Sequence, residues 1–328
     1  MIAMVHPDDE MTAQPGETVG YHEPVLMAET LAALAPAPGK IIVDGTLGGG
    51  GHSRALLAAG ATVIGIDQDP EAIAFASARL ERFGERFRAV HSSFADIGKT
   101  LDALRIGPIQ GALLDIGVSS HQIDSAARGF SFMQDGPLDM RMDPAGLVSA
   151  ADLVNTMGAP QLERIFRQYG EEPAARRIAA HLVRQRAVQP YTRTLQLAGS
   201  IEEVSPRRGK THPATRVFQA LRMAVNRELE ALEAGLEQIA RRLAPGGRFA
   251  VITFHSLEDR IVKQFFKTGT ERWVDRPEWP APKPNPARIF RKVTSKAIAA
   301  SDAEQRANPR SRSAKLRAVE KIHPNAAD

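Results

Sequence analysis

Lys40-Ile-Ile-Val-Asp-Gly-Thr-Leu-Gly-Gly-Gly-Gly-His-Ser53 decides the fold, because a short apolar run meets an acid and then four consecutive glycines. Residues without Cβ let the main chain turn sharply and lie against a ligand. Ser53, followed by Arg54-Ala-Leu-Leu-Ala-Ala-Gly60, is placed to cap and begin a helix whose free N–H groups face the same spot. A second apolar run, Thr62-Val-Ile-Gly-Ile-Asp67, ends in another acid, and an acid at the end of a second strand can grip ribose hydroxyls. Asp69-Pro70 then opens the next helix and leaves Asp67 at the strand end, facing a ligand crevice.

The loop does not fit a nicotinamide cofactor: no frame through Gly45 to Gly51 supplies the third glycine of Gly-x-Gly-x-x-Gly. Nor does Gly-Lys-Ser/Thr follow, as a nucleoside-triphosphate loop requires. Read as Asp44-x-x-x-Gly48-x-Gly50, the stretch fits the S-adenosylmethionine pattern, with one acid at the first strand end and no pyrophosphate to cradle. Phe87 to Asp96 reads as a third strand with Phe94 and Asp96 just beyond it, a ring to lie against adenine and an acceptor for its amine. Gly111-Ala-Leu-Leu-Asp115 is a fourth, nearly all apolar, as a central parallel strand buried on both faces must be. The expected fold is α/β, a doubly wound, mostly parallel sheet.

Seven boxes in order resemble the RsmH (MraW) family: Tyr21-His-Glu-Pro-Val-Leu26, Asp44-Gly-Thr-Leu-Gly48, Gly50-Gly-His52, Asp115-Ile-Gly-Val-Ser-Ser120, Arg128-Gly-Phe-Ser-Phe-Met133, Gly136-Pro-Leu-Asp-Met-Arg-Met-Asp143 and Thr253-Phe-His-Ser-Leu-Glu-Asp-Arg260. The resemblance runs from about Tyr21 to Lys321. It implies a class I, Rossmann-like S-adenosylmethionine-dependent methyltransferase with an inserted all-helical domain. The reaction it implies is methylation of the N4 amine of a cytidine in 16S ribosomal RNA, in or near the decoding centre, within the small subunit or a late precursor. Asp44, Gly48, Gly50, Gly51, His52, Asp67, Phe94, Asp115 and Gln122 would then form the S-adenosylmethionine site. Two departures stand out: His121 replaces the proline of Ser-Ser-Pro-Gln, and the first twenty residues have no counterpart.

The amine acceptor is not read from a motif. Amine methyltransferases commonly place Asp/Asn-Pro-Pro-aromatic at the fourth strand end, and this chain has Asp115-Ile-Gly-Val-Ser-Ser120. Main-chain carbonyls of that loop, Ser119, Ser120 and His255 are the candidates, and Phe130 or Phe132 could hold an unstacked base.

With 328 residues, no cysteine and a formal charge of +4, the chain can bury a sizeable core and holds no disulfide or thiolate metal site. No apolar stretch is long enough to cross a bilayer, and the expected location is the cytoplasm; a homodimer stays open. Four segments are expected: an N-terminal extension (1–20), the methyltransferase domain (21–131), a helical substrate-recognition insertion (132–210), and the domain's second part with a basic C-terminal segment (211–328). The insertion carries Arg164, Arg167, Arg176, Arg177, Arg184, Arg186 and Arg193 ahead of Arg207-Arg-Gly-Lys210, suited to an RNA backbone. Helices are expected over 160–169, stopping at Gly170, and over 173–188 and 194–204, with Ser149-Ala-Ala-Asp152 capping an earlier one. One long helix, capped by Thr211, should reach Leu243; a strand from Arg248 to Phe254 follows, then a helix begun by Glu258, and Arg288 to Val293 is the last strand. From Arg288 to Lys321 there are ten Lys/Arg against three Asp/Glu, interleaved with Leu316 and Val319, as in a tail docked by its apolar side chains.

Overall fold

The computed structural model describes residues 24–207, 209 and 212–323, apart from the side chain of Ser120. The N-terminal extension, the Tyr21-His-Glu start of the first box and the expected cap Thr211 lie outside the described residues.

Strands β1 (Ile41–Asp44), β2 (Thr62–Asp67), β3 (Phe87–His91), β4 (Ile109–Asp115) and β5 (Leu243–Thr253) are parallel. After them come a two-stranded arm, β6 (Trp273–Val274) with β7 (Lys283–Pro284), and then β8 (Phe290–Lys292), β9 (Ile298–Ala299) and β10 (Lys315–Lys321). The sheet runs β3-β2-β1-β4-β5-β10-β8, with β10 antiparallel to both neighbours. Helices α1 (Met27–Leu34), α2 (Gly51–Ala58), α3 (Pro70–Leu80) and α4 (Ile97–Ala103) alternate with the strands. Then come α5 (Ser120–Asp124), a helical unit of α6 (Ala150–Thr156), α7 (Ala159–Gly170), α8 (Ala175–Arg186), α9 (Thr194–Val204) and α10 (Ala214–Asn226), and finally α11 (Glu228–Arg242), α12 (Ser256–Thr270) and α13 (Asp302–Ala307). Among the described residues, no helix is long and apolar enough to cross a membrane.

Burial on both faces of the sheet accounts for the uninterrupted apolar reading of β4. Ala112 and Leu114 join one core with Leu232, Leu236, Phe249 and Phe266, while Leu113 joins the other with Ile42, Leu56 and Leu316. A third core belongs to the helical unit, where Leu162, Phe166, Ile178, Leu182 and Leu197 meet Val217 and Leu221 of α10. The unit's packing therefore reaches past residue 210. Gly170 allows α7 to lie close against α10, since a Cβ there would come 2.5 Å from the Arg216 carbonyl oxygen.

Several local expectations are corrected. Ser53 does not cap α2. Gly50, left-handed at φ 72°, precedes the helix, and Ser53 lies inside it, donating to Asp44 Oδ2 at 2.7 Å. Helix α7 includes Gly170, and it is Glu171 that turns left-handed after it. The expected long helix breaks at Arg227, also left-handed at φ 48°, separating α10 in the helical unit from α11 against the sheet. Asn226 holds this joint, accepting from Met142 N at 2.8 Å and donating to the Met140 carbonyl at 2.8 Å. Helix α12 begins at Ser256, two residues upstream of the expected start, with His255 as its cap. Arg288 to Val293 supplies only the edge strand β8; the last strand is β10, inside the sheet, with Leu316 and Val319 buried as expected. Ser149 and Asp152 form the capping box read from the sequence.

Candidate active site

A cleft opens at the carboxyl ends of β1, β2, β4 and β5, where an open α/β sheet holds its ligands. Gly48, Gly51, His52, Asp67, Phe94, Asp115, Ser119 and Gln122 line it, as do Glu228, Asn226 and Phe254. Asp44 and Gly50 sit behind this lining, and His255 is also outside it. Gly50 makes the turn into α2 with its α-carbon against Leu80, where a Cβ would come 2.9 Å from Leu80 Cδ1. Asp44 is buried and braces the loop, accepting from Ser53 Oγ and, at 3.3 Å, from Thr46 N. Thr46 Oγ1 in turn accepts from Asp115 N at 2.7 Å, which fixes the glycine loop to the end of β4.

Asp67 orders the loop. Its Oδ2 accepts from Gly48 N at 2.8 Å and its Oδ1 from Asp69 N at 2.9 Å, leaving each oxygen further acceptor capacity toward the cleft. Phe94 borders the cleft beside Gly235 of α11. Asp96 does not accompany it; its carboxylate takes Lys99 Nζ at 2.7 Å, outside the cleft lining, because the chain beyond β3 turns into a 3₁₀ segment.

Gln122 is a brace as well as a lining residue. It forms a reciprocal cap with Ser119, whose Oγ accepts from Gln122 N at 3.2 Å, and its Nε2 donates to Asp69 Oδ2 at 2.8 Å. The proline replacement is accommodated in this first helical turn, where His121 Nε2 lies 3.0 Å from Glu71 Oε2. The sequence reading missed Arg128. Nearly buried, it donates to Asp69 Oδ2 at 2.7 Å and to the carbonyls of Arg141 and Met142 at 3.1 and 2.9 Å, fastening the 128–142 loop to the start of α3. It also missed a cluster of buried charges in which Arg222 donates to both oxygens of Glu228 at 2.7 and 2.8 Å. Fully buried Glu258 belongs to that cluster, accepting from Phe254 N at 2.9 Å with His255 Nε2 2.6 Å away. His255 is thus engaged with α12. Nothing in sequence spacing signals such pairs; the only hint was an arginine inside a family box.

The cleft has an excess of acids. Burial pushes the Asp115 carboxyl up to about 8, with the charges of Asp44 and Glu258 adding to the rise. Burial likewise raises Asp67 and Asp44 to about 6. His52, 3.7 Å from Asp115, offers no compensating charge, because burial lowers it to about 4. Asp115 Oδ1 has no hydrogen-bond partner among the described residues. Such a site is built for a cation with donors to share.

A family model described as the MraW methylase family matches residues 20–322. The chain belongs to that family. It is 51% identical over 304 residues to ribosomal RNA small subunit methyltransferase H of Anaeromyxobacter dehalogenans, covering 92% of this chain and 98% of the relative. It is 50% identical over 307 residues to the protein of the same name from Geobacter sulfurreducens, covering 92% and 99%. Among solved structures, an rRNA methylase from Streptococcus thermophilus aligns over 90% of this chain and 95% of its own with a TM-score of 0.40 and 14% identity, too distant to carry an inference. The chain is a methyltransferase, and its methyl donor is S-adenosylmethionine. The cleft fits that donor: Asp115, whose Oδ1 has no hydrogen-bond partner among the described residues, suits a ligand bearing a sulfonium and an ammonium charge, and Asp67 suits a ribose.

A pH effect follows from the raised acids. A cationic ligand favours the ionised carboxylates, so it lowers their raised values and binding releases protons. Donor affinity should rise with pH from about 6 towards 8, and calorimetry near pH 7 in buffers of different ionisation enthalpy should show proton release that Asp115→Asn diminishes. Proton uptake would contradict the scheme.

Proposed function

We propose that this methylase transfers the methyl group of S-adenosylmethionine to the N4 amine of a cytidine in 16S ribosomal RNA, in or near the decoding centre, on the small subunit or a late precursor. The relatives' name supports the RNA class. The observation that carries the amine chemistry is the run from Asp115 to Ser119, which borders the donor cleft at the end of the central strand. When bound, the donor supplies a methyl already activated by the sulfonium charge. The chain's task is alignment and proton acceptance, since the lone pair of an exocyclic amine is delocalised into its ring and an acceptor for its N–H localises it.

In this reading Asp67 holds the ribose, Phe94 the adenine, and Asp115 with neutral His52 the cationic end. Ser119 then serves the amine: its hydroxyl is held rigid by Gln122 N and keeps a lone pair for an incoming N–H. Ser119→Ala should lower the single-turnover rate more than either binding affinity, the pattern of an interaction felt in the transition state. Equal rates for variant and parent would pass the role to a main-chain carbonyl of the loop.

RNA is assigned to the helical unit. Arg176, Arg177, Arg207, Arg216 and His212 border a broad groove between α8 and the segment leading into α10. The groove adjoins the cleft rim, because the Glu171 carbonyl accepts from Arg216 and its carboxylate from Ser256 Oγ. Arg186, read as an RNA contact, instead donates to the Val154 and Met157 carbonyls at the end of α6, so reversing it would disturb the fold. Reversing the exposed pair Arg176 and Arg177 should weaken RNA binding and flatten its salt dependence by about two phosphate contacts, with donor affinity unchanged. Loss of both affinities would contradict this division of labour. Mass mapping of 16S RNA from cells lacking the chain tests the whole assignment: a single cytidine should lose one N4 methyl and regain it when the protein is supplied.

A further inference from the structure

Both tryptophans of the chain, Trp273 and Trp279, lie in the β6–β7 arm. Trp273, paired across the arm with Pro284, leaves 59% of its surface exposed. Trp279 is flanked by cations, with Arg276 Cζ 5.0 Å and Lys283 Nζ 4.7 Å from its ring centre. The arm is stiffened by Pro277, Pro280, Pro282, Pro284 and Pro286. Its base is tied down by Asn285, whose side chain donates to the carbonyls of Thr268 and Glu271 at 2.7 and 2.9 Å, and whose N–H donates to the Arg272 carbonyl.

A rigid, exposed indole on an arm whose second indole is flanked by cations is a binding device, since exposure of so large a ring is unfavourable in water. A protein-docking face would need a contiguous apolar patch. In and beside the arm the large exposed apolar side chains are Trp273 and Ile289; of the other exposed large hydrophobics among the described residues, Met133, Leu147 and Val148 lie in the loop before α6, and Val188 and Leu195 lie in the helical unit. What the arm carries beside the rings is charge: Arg276 and Lys283, both against Trp279, with Asp275 and Glu278 in the same segment. Flat aromatic surface framed by cations fits unpaired nucleobases and their phosphates.

We infer that the β6–β7 arm is a second RNA contact, stacking an unpaired base on Trp273, separate from the methyl-donor cleft. This rests on RNA being the substrate. The 15 residues of α12 span about 22 Å and run from the cleft edge to the base of the arm, so the contact reaches a part of the RNA away from the target base.

The chain's own fluorescence tests it. In the full-length Trp279→Phe variant all tryptophan emission comes from Trp273. Titration with fluorescein-labelled single-stranded oligouridylate of about twelve nucleotides should quench that emission saturably, whereas a duplex of equal length should not. Trp273→Ala should bind the oligonucleotide roughly tenfold to a hundredfold more weakly by anisotropy, while donor affinity by calorimetry stays at the parent value and certifies the fold. If the labelled RNA binds the parent with Trp273 emission and Trp273→Ala affinity unchanged, the arm is not the contact and the RNA assignment stands. If neither oligonucleotide nor small subunits bind the parent, both fall.

Discussion

Asp67→Ala should bind S-adenosylmethionine at least a hundredfold more weakly than the parent while remaining folded. The carboxylate does two jobs at once. It holds Gly48 N and Asp69 N, and in the proposed complex it also accepts from the ribose. Hydrogen bonds to a charged group contribute on the order of 1.5–3 kcal/mol each, so losing one ribose contact alone lowers affinity about tenfold to a hundredfold, and loosening of the glycine loop adds to that. Asp67→Asn should fall between, because its carbonyl can still accept from one main-chain amide. Unchanged calorimetric affinity in a folded Asp67→Ala protein would remove Asp67 from the donor site.

Arg222→Met should be the most destabilising single change of those considered, by about 3–5 kcal/mol in urea unfolding, because it leaves Glu228 buried without its cation and next to Glu258. The loss should shrink in acid. Burial already raises the Glu228 carboxyl, and removing Arg222 raises it further; as the pH falls through that value the group is neutralised and the penalty recedes. Arg222→Met combined with Glu228→Leu should recover much of the stability, since it removes both charges. Equal stability of Arg222→Met and the parent at neutral pH would mean that water reaches the pair.

These two residues also mark what the sequence could and could not reveal. The place of Asp67 at the end of β2, facing the cleft, was legible because it is set locally: an apolar run of strand length, an acid at its end, and Asp-Pro opening the next helix are all encoded within ten positions. The glycine loop, the buried β4 and the Ser149 cap were legible for the same reason. Arg222, Arg128 and the true work of Ser53 were not, because their partners are chosen by the folded chain. Arg128 meets Asp69 across 59 positions, and nothing about an isolated arginine says which carboxylate it will find. Arg227 shows the opposite failure, since its surroundings read as continuous helix and the break appears only where Asn226 secures the 140–142 loop. The C-terminal segment read as a docked tail because apolar residues such as Leu316 and Val319 are interleaved with its many charges; the alternation of Leu316, Ala318 and Glu320 with Lys315, Arg317 and Val319 became a strand only by pairing with β5.

The place of β10 bears on how the protein comes into being. Synthesis delivers β5 long before β10, yet β10 lies between β5 and β8, so one flank of β5 keeps a bare row of amides and carbonyls until residues 315–321 emerge. The helical unit, whose core is local in sequence, can form while the chain is still growing. The catalytic sheet cannot be completed until residues 315–321 have been made, so a message cut short before them yields an unfinished, adhesive sheet edge in place of a partly active enzyme.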